Sequence, residues 1–223
     1  MSRDVALVCG ASGALGQAVV VELAGRGDRV VAVDRHAAGG DAESVRLEAA
    51  DLAVVAEVDA LWARLADRGE RPRWVVNAVG AHASGTVAAT DESLYRHLHD
   101  VNLATAFWSS RAAARTLEAG GAIVNVASRT ALAGGVGSAA YAVAKAGVVR
   151  LTEVLAAELA PQRIRVNAVL PSRLDTPANL AALGTERMRD AVPPADVAAV
   201  IAFLCSDAAR AITGASIPVY GWA

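Results

Sequence analysis

Short hydrophobic runs alternate with longer helical patterns along the whole chain. The short runs are rich in β-branched residues, and several are apolar on both faces, which is typical of strands buried in a parallel sheet. They predict strands at residues 5–9, 29–33, 74–77, 122–126, 165–169 and 216–219. The Ala/Leu-rich segments between them predict helices at residues 17–26, 53–68, 91–117, 139–159 and 194–205. This alternation predicts an α/β protein with a doubly wound parallel sheet and helices on both faces.

No linker, repeat or low-complexity block interrupts this pattern, so a single domain over residues 1–223 is expected. Loops are predicted at the Gly39–Gly40 pair and at residues 171–194. The second loop is long, and long loops in compact domains usually carry function. We therefore expect residues 171–194 to form a substrate loop.

Composition excludes several classes of function. The chain has 223 residues with 23 acidic and 21 basic side chains, so it lacks the basic excess of a nucleic-acid binder. No run approaches the ~18 uninterrupted apolar residues that a membrane-spanning helix needs, and the N-terminus does not resemble a signal peptide. The two cysteines and four histidines show no metal-ligand spacing. We expect a cytoplasmic protein with no nucleic-acid partner, no membrane partner and no metal site.

A glycine-rich turn links the first predicted strand to the first predicted helix. Gly10, Gly13 and Gly16 stand where glycine permits a tight turn, close approach of the backbone to a pyrophosphate, and close helix–strand packing. Asp34 ends the second predicted strand, near the ~20-residue separation expected of a carboxylate that binds an adenosine ribose. Glycine also occurs at any sharp strand-to-helix turn, and Asp34 could be a plain surface aspartate. The combination favours a Rossmann-like dinucleotide site.

Asp34 also bears on the choice of cofactor. Its carboxylate would repel a 2′-phosphate, which favours NAD(H) over NADP(H). The adjacent Arg35 could offset that repulsion with its positive charge, so NADP(H) stays open.

The most informative chemistry lies around a single lysine. Twenty of the 21 basic residues are arginine, and the one lysine, Lys145, lies four residues after Tyr141. On a helix this spacing puts both side chains on one face, and a nearby ammonium lowers the pKa of a phenol from its usual ~10. Ser128 follows the fourth predicted strand, at the carboxyl edge where open α/β folds bind ligands. Each residue alone could be structural, but together on a dinucleotide fold they indicate acid–base chemistry.

These motifs resemble those of the short-chain dehydrogenase/reductase family over nearly the whole chain. Tyr141-Ala-Val-Ala-Lys145 matches the family's Tyr-x-x-x-Lys motif, Ser128 matches its catalytic serine, and Asn102 matches its helix asparagine. The resemblance implies that Tyr141 donates or accepts the proton, while Lys145 binds the nicotinamide ribose and lowers the tyrosine pKa. It also implies that Ser128 orients the carbonyl and that Asn102 supports a proton-relay water.

The turn and the resemblance together imply an extended cofactor site. Its expected members are Gly10, Ser12, Gly13, Ala14, Leu15, Gly16, Asp34, Arg35, Asp51, Leu52, Asn77, Ala78, Val79, Gly80, Tyr141, Lys145, Pro171, Ser172 and Thr176. The chain departs from the usual family residues at Ala14, Ala78 and Ser172, where the family commonly has Gly, Asn and Gly. None of these departures removes a catalytic group.

By the same resemblance, the substrate is expected beside His82, Arg129, Thr130, Ser138 and Arg173. Arg129 or Arg173 is a candidate to pair with an anionic group, because arginine offers a bidentate fork to carboxylates and phosphates. The alternative is an ordinary surface arginine in a chain that uses arginine everywhere.

The resemblance implies an NAD(P)(H)-dependent oxidoreductase that interconverts a ketone and a secondary alcohol on a small organic substrate. A homotetramer, or failing that a homodimer, is expected on the same ground. Two alternatives stay open. One is a quinonoid pterin reductase, because a Gly-x-x-Gly-x-x-Gly turn also suits that branch of the family. The other is a non-catalytic dinucleotide-sensing protein, because fold does not determine function.

Overall fold

The computed structural model describes residues 4–36, 44–134 and 136–222, which form a parallel sheet of seven strands with helices on both faces. The strands are β1 (Val5–Cys9), β2 (Arg29–Asp34), β3 (Val45–Ala49), β4 (Pro72–Asn77), β5 (Ala122–Val126), β6 (Arg165–Pro171) and β7 (Ser216–Val219). Their order is β3-β2-β1-β4-β5-β6-β7, and neighbouring strands pair in parallel. The order reverses between β1 and β4, which is where open α/β sheets bind ligands at their carboxyl edge.

The helices pack on the two faces of the sheet and bury alternate strand residues. They are α1 (Ala14–Gly25), α2 (Val55–Asp67), α3 (Glu92–His99), α4 (Thr105–Thr116), α5 (Ala139–Leu159), α6 (Pro177–Leu183), α7 (Thr185–Met188) and α8 (Pro194–Leu204). On one face, Val8 of β1 shares a core with Val19 of α1 and Ile201 of α8. On the other, Leu7 shares a core with Leu61 of α2. Successive strand residues therefore serve opposite layers, because side chains alternate across a strand.

The predicted doubly wound α/β fold is confirmed, and all six predicted strands are present. The predicted helix 91–117 is divided into α3, a π-helical turn at Asp100–Ala104, and α4. The predicted loop 171–194 is wrong in part, because it contains α6 and α7. The predicted loop at Gly39–Gly40 lies outside the described residues.

Strand β3 is absent from the sequence prediction. It lies at the edge of the sheet and pairs with β2 alone among the described strands. Its polar residues Arg46 and Glu48 form an ion pair, and Arg46 also pairs with Glu70, so the strand lacks a continuous apolar run. As a consequence, Ser128 follows the fifth strand of the chain and not the fourth.

Candidate active site

The glycine turn after β1 is shaped by close packing at two of its three glycines. Gly10 has φ +84°, and a Cβ there would lie 2.7 Å from the backbone nitrogen of Val79. At Gly16 a Cβ would lie 2.0 Å from the carbonyl oxygen of Gly10, so α1 starts directly against the turn. At Gly13 the nearest atom to such a Cβ is the Gly10 oxygen at 3.5 Å. The turn is therefore tight toward the protein at Gly10 and Gly16 and open at Gly13.

Asp34 lies beside this turn at the end of β2. Its Oδ2 accepts a hydrogen bond from the Ser12 backbone at 3.1 Å, and its Oδ1 accepts one from the Arg35 backbone at 2.8 Å. These bonds orient the carboxylate toward a cavity of about 510 Å³, which we call the glycine-turn cavity. Predicted cofactor residues that line it are Gly10, Gly13, Asp34, Arg35, Asp51, Leu52, Ala78, Val79 and Gly80. The structure thus brings residues from four separate segments around one space.

A second cavity of about 790 Å³, the tyrosine cavity, lies farther along the carboxyl edge. Predicted residues that line it are His82, Ser128, Arg129, Thr130, Ser138, Tyr141, Ser172 and Arg173. All five predicted substrate residues therefore meet here, together with the predicted catalytic serine and tyrosine.

Ser128 and Tyr141 both line the tyrosine cavity. Burial raises the pKa of Tyr141 above its usual 10, and the nearby Ser128 hydroxyl opposes that rise. Thr130 donates to the Ser128 Oγ from its hydroxyl at 3.0 Å and from its backbone at 3.3 Å. With its lone pairs used in this way, the Ser128 hydroxyl has its proton free to donate. The His82 ring packs edge-on against Tyr141 at 4.9 Å between centroids.

Lys145 lies one turn after Tyr141 on α5 and is 3% exposed. Its Nζ donates to the carbonyl oxygen of Val126 at 2.9 Å. Burial lowers the pKa of Lys145 from 10.5 to about 8. Ser128 is the side chain that opposes the effect of burial on the pKa of Tyr141, and the lowering of that pKa by Lys145 stays a prediction.

Asn102 is buried in the π-helical turn between α3 and α4, a wider turn that often marks functional sites. Its Nδ2 donates to the carbonyl oxygens of Ala81 and Leu98, each at 2.9 Å, and its Oδ1 accepts from the Ala81 backbone at 3.2 Å. Both amide hydrogens are therefore in use, and the side chain has none to donate to a relay water. A Cβ on Gly80 would lie 2.9 Å from the Asn102 Oδ1 and 3.1 Å from the Lys145 Nζ. Because Gly80 has no Cβ, the side chains of Asn102 and Lys145 can both approach its backbone closely.

Several predicted site residues are not among the described residues that line the two cavities. Asn77 lies within the sheet, where its Nδ2 donates to Asn125 at 2.8 Å and to Ser110 at 3.0 Å. Thr176 caps α6 by accepting from the Asn179 backbone at 3.1 Å. The others are Ser12, Ala14, Leu15, Gly16, Asn102, Lys145 and Pro171.

The structure also adds lining residues that the sequence prediction missed. His97, Val101 and Thr105 line the glycine-turn cavity. Their i, i+4, i+8 spacing puts them on one face of the predicted helix, so the sequence alone could have indicated that they act together. Asn179 and Arg187 line the tyrosine cavity from α6 and α7. Both lie within the predicted substrate loop 171–194, although neither is singled out there as a site residue.

Within the described ranges, no group of three or more His, Cys, Asp or Glu side chains could hold a metal ion. Among the same residues, no helix is long and apolar enough to cross a membrane.

The chain is similar in sequence and in structure to known proteins. The family model described as enoyl-(acyl carrier protein) reductase matches residues 10–221. Meso-2,3-butanediol dehydrogenase from Serratia marcescens is 33% identical over 242 residues, covering 99% of this chain and 94% of that protein. Galactitol 2-dehydrogenase from Rhizobium johnstonii is 36% identical, with coverage of 98% and 94%. A crystal structure of an oxidoreductase of the short-chain dehydrogenase/reductase family from Burkholderia thailandensis has a TM-score of 0.87 at 34% identity, covering 99% and 92%.

Proposed function

The chain belongs to the short-chain dehydrogenase/reductase family, and from this we propose that it interconverts a ketone and a secondary alcohol on a small organic substrate. The protein is accordingly an oxidoreductase that acts on CH–OH groups with NAD or NADP. One observation carries the proposal: Ser128 and Tyr141 line the same cavity, which is large enough for such a substrate.

The residues around the glycine-turn cavity fit a nicotinamide dinucleotide. The opening at Gly13 gives a pyrophosphate access to the N-terminus of α1, whose first amides have no partner within the helix. The backbone-oriented Asp34 carboxylate would accept a hydrogen bond from a ribose hydroxyl and repel a 2′-phosphate, which favours NAD(H) over NADP(H). Arg35 lines the same cavity, and its positive charge would attract a 2′-phosphate, so NADP(H) stays a candidate cofactor. When bound, the nicotinamide would give or accept the hydride.

The remaining residues of the extended cofactor site contribute in different ways. Lys145 would donate to a ribose hydroxyl from its buried ammonium. Six of the others would form walls around the cofactor, and these are Asp51, Leu52, Ala78, Val79, Gly80 and Ser172. The remaining ones would lie behind these walls, and they are Ser12, Ala14, Leu15, Gly16, Asn77, Pro171 and Thr176. Asn102 acts as a positioning residue, because it fixes the Ala81 backbone between the two cavities.

The Ser128–Tyr141 pair would handle the proton. In the reducing direction, Ser128 and Tyr141 donate hydrogen bonds to the carbonyl oxygen, and the Tyr141 proton moves to that oxygen as it becomes an alcohol. A hydrogen bond donated by Ser128 would favour phenolate, which is why Ser128 opposes the rise that burial causes in the tyrosine pKa. In the oxidising direction the phenolate of Tyr141 takes the alcohol proton. The same pair thus serves both directions.

The test is Tyr141→Phe, which keeps the ring and removes the proton. We expect turnover of any ketone substrate to fall at least ~100-fold, with cofactor affinity nearly unchanged in a fluorescence titration. Lys145→Ala should also abolish turnover but weaken cofactor binding. Tyr95→Phe on α3 is a matched control, because Tyr95 is exposed and lines neither of these cavities. Substantial activity in Tyr141→Phe would contradict the assignment.

The reaction itself is tested by NADH and NADPH oxidation over a panel of ketones that also includes a quinonoid dihydropterin. Reduction of the pterin alone would replace the proposal with a pterin reductase. Tight cofactor binding without reduction of any compound would indicate a dinucleotide sensor.

We also propose a homotetramer or homodimer. Exposed apolar side chains on α4 and α5, among them Phe107, Val143 and Val154, support an apolar contact on that side of the molecule. Multi-angle light scattering would give the number of subunits, and a monomer at micromolar concentration would contradict the proposal.

A further inference from the structure

The wall of the tyrosine cavity carries unbalanced positive charge. Arg129, Arg173 and Arg187 line it from three separate segments, and no aspartate or glutamate is among the described residues that line it. Composition does not explain this asymmetry, because the chain has more acidic side chains than basic ones, 23 against 21. The sequence neighbours Asp175 and Glu186 do not line the cavity either.

Several other arginines of the chain pair with carboxylates. Arg73, for example, pairs with Asp4 at 2.7 Å and with Asp207 at 2.6 Å. Across residues 4–36, 44–134 and 136–222, no carboxylate lies within ion-pair distance of Arg129, Arg173 or Arg187. Their donors are therefore available to a ligand in the cavity.

Arg129 is held in place without losing its charge. It directly follows Ser128, and its guanidinium lies over the Tyr220 ring at 5.1 Å from the centroid. The Tyr220 backbone is fixed in turn, because its carbonyl accepts from the Ser172 hydroxyl at 3.0 Å. A ring face holds a guanidinium through its π electrons and leaves the N–H edge free for an anion.

Arg173 and Arg187 rise from backbone that is anchored in the core. The Arg173 carbonyl accepts from the buried Val192 backbone at 2.7 Å, which fixes the segment after β6. Arg187 precedes Met188, whose buried side chain ties α7 to the protein. Both arginines thus reach the cavity from fixed positions, and the apolar Leu174 and Leu183 line the same cavity.

From this geometry we infer that the substrate carries an anionic group, a carboxylate or a phosphate, held by Arg129, Arg173 and Arg187. A guanidinium matches either anion with two parallel hydrogen bonds, and three of them would set the register of the substrate against Ser128. The inference rests on the proposed function, since it names the class of ketone. In the reaction the carbonyl carbon gains the hydride and its oxygen gains the Tyr141 proton, while the anionic group is unchanged.

The test compares substrates that differ only in the anionic group. The pairs are 3-oxobutanoate with its methyl ester, and dihydroxyacetone phosphate with dihydroxyacetone. We expect kcat/KM to favour the charged member of at least one pair by tenfold or more, and the favoured pair distinguishes carboxylate from phosphate. In Arg129→Gln, Arg173→Gln and Arg187→Gln this ratio should fall at least tenfold, through KM more than kcat.

The matched control is Arg71→Gln, an exposed arginine that precedes β4 at the opposite edge of the sheet, and it should leave the ratio unchanged. A ratio near one in the wild type, or a ratio unaffected by all three cavity variants, would overturn the inference. Calorimetric titration with 3-hydroxybutanoate, its methyl ester and glycerol 3-phosphate measures anion binding without turnover. Arginine-dependent binding of an anion with no reduction of any ketone would contradict the proposed function and leave the anion site standing. No preference for either anion in that titration would overturn the anion site.

Discussion

Replacing Lys145 with methionine tests how much the fold is destabilised by an ammonium inside it. The side chain is 3% exposed, and burial lowers its pKa from 10.5 to about 8. Between these two values the unfolded chain binds more protons than the folded protein, so the free energy of unfolding rises with pH. At about 1.4 kcal/mol per pKa unit, burial of the protonated lysine costs about 3 kcal/mol below pH 8. That destabilisation disappears as the pH rises toward 10.5.

The assay is guanidinium chloride unfolding of the cofactor-free wild type and Lys145→Met, at equal protein concentration, at pH 7 and pH 10. We expect the stability of the variant relative to the wild type to fall by about 2 kcal/mol between these pH values. Comparing the two proteins cancels the titration of Tyr141, Cys9 and Cys205, whose pKa values burial raises. A stability difference that does not change with pH would refute the reasoning, because a lysine with an ordinary pKa gives no such slope.

Three further predictions concern other parts of the molecule. Cys9 and Cys205 are 1% and 0% exposed, and burial raises the pKa of each thiol to about 12, so the native protein should not react with Ellman's reagent at pH 8; labelling before unfolding would contradict this. Arg26→Met should lower the free energy of unfolding by about 2 kcal/mol in urea, because Arg26 donates to the Ala202 carbonyl at 2.5 Å and to the Cys205 carbonyl at 2.7 Å at the end of α8; an unchanged midpoint would argue against that bond. Asp34→Ala should raise affinity for NADP relative to NAD by about tenfold in a fluorescence titration, and an unchanged ratio would remove Asp34 from cofactor choice.

Local sequence determined much of this protein. The buried strands β1 and β5 and the long helix α5 lie at their predicted residues, because apolar periodicity reports directly on burial. The glycine turn could also be predicted from the local sequence. Gly10 has a positive φ and a close approach to neighbouring backbone, both of which are unfavourable for residues with a Cβ. The shared helix face of Tyr141 and Lys145 also follows from spacing alone.

Tertiary structure decided what depends on atoms distant in the chain. β3 is a strand because β2 offers it an edge, although its own pattern is polar. Burial by surrounding segments raises the pKa of Tyr141 and Ser128 opposes the rise, and helix spacing alone indicates neither effect. The family resemblance already placed Arg129 and Arg173 beside the substrate, but only the packed chain shows that Arg187 of α7 lines the same cavity, since no spacing rule relates residues on three separate elements. Periodicity records which face of an element is buried, but only the packed chain decides which charges share a space.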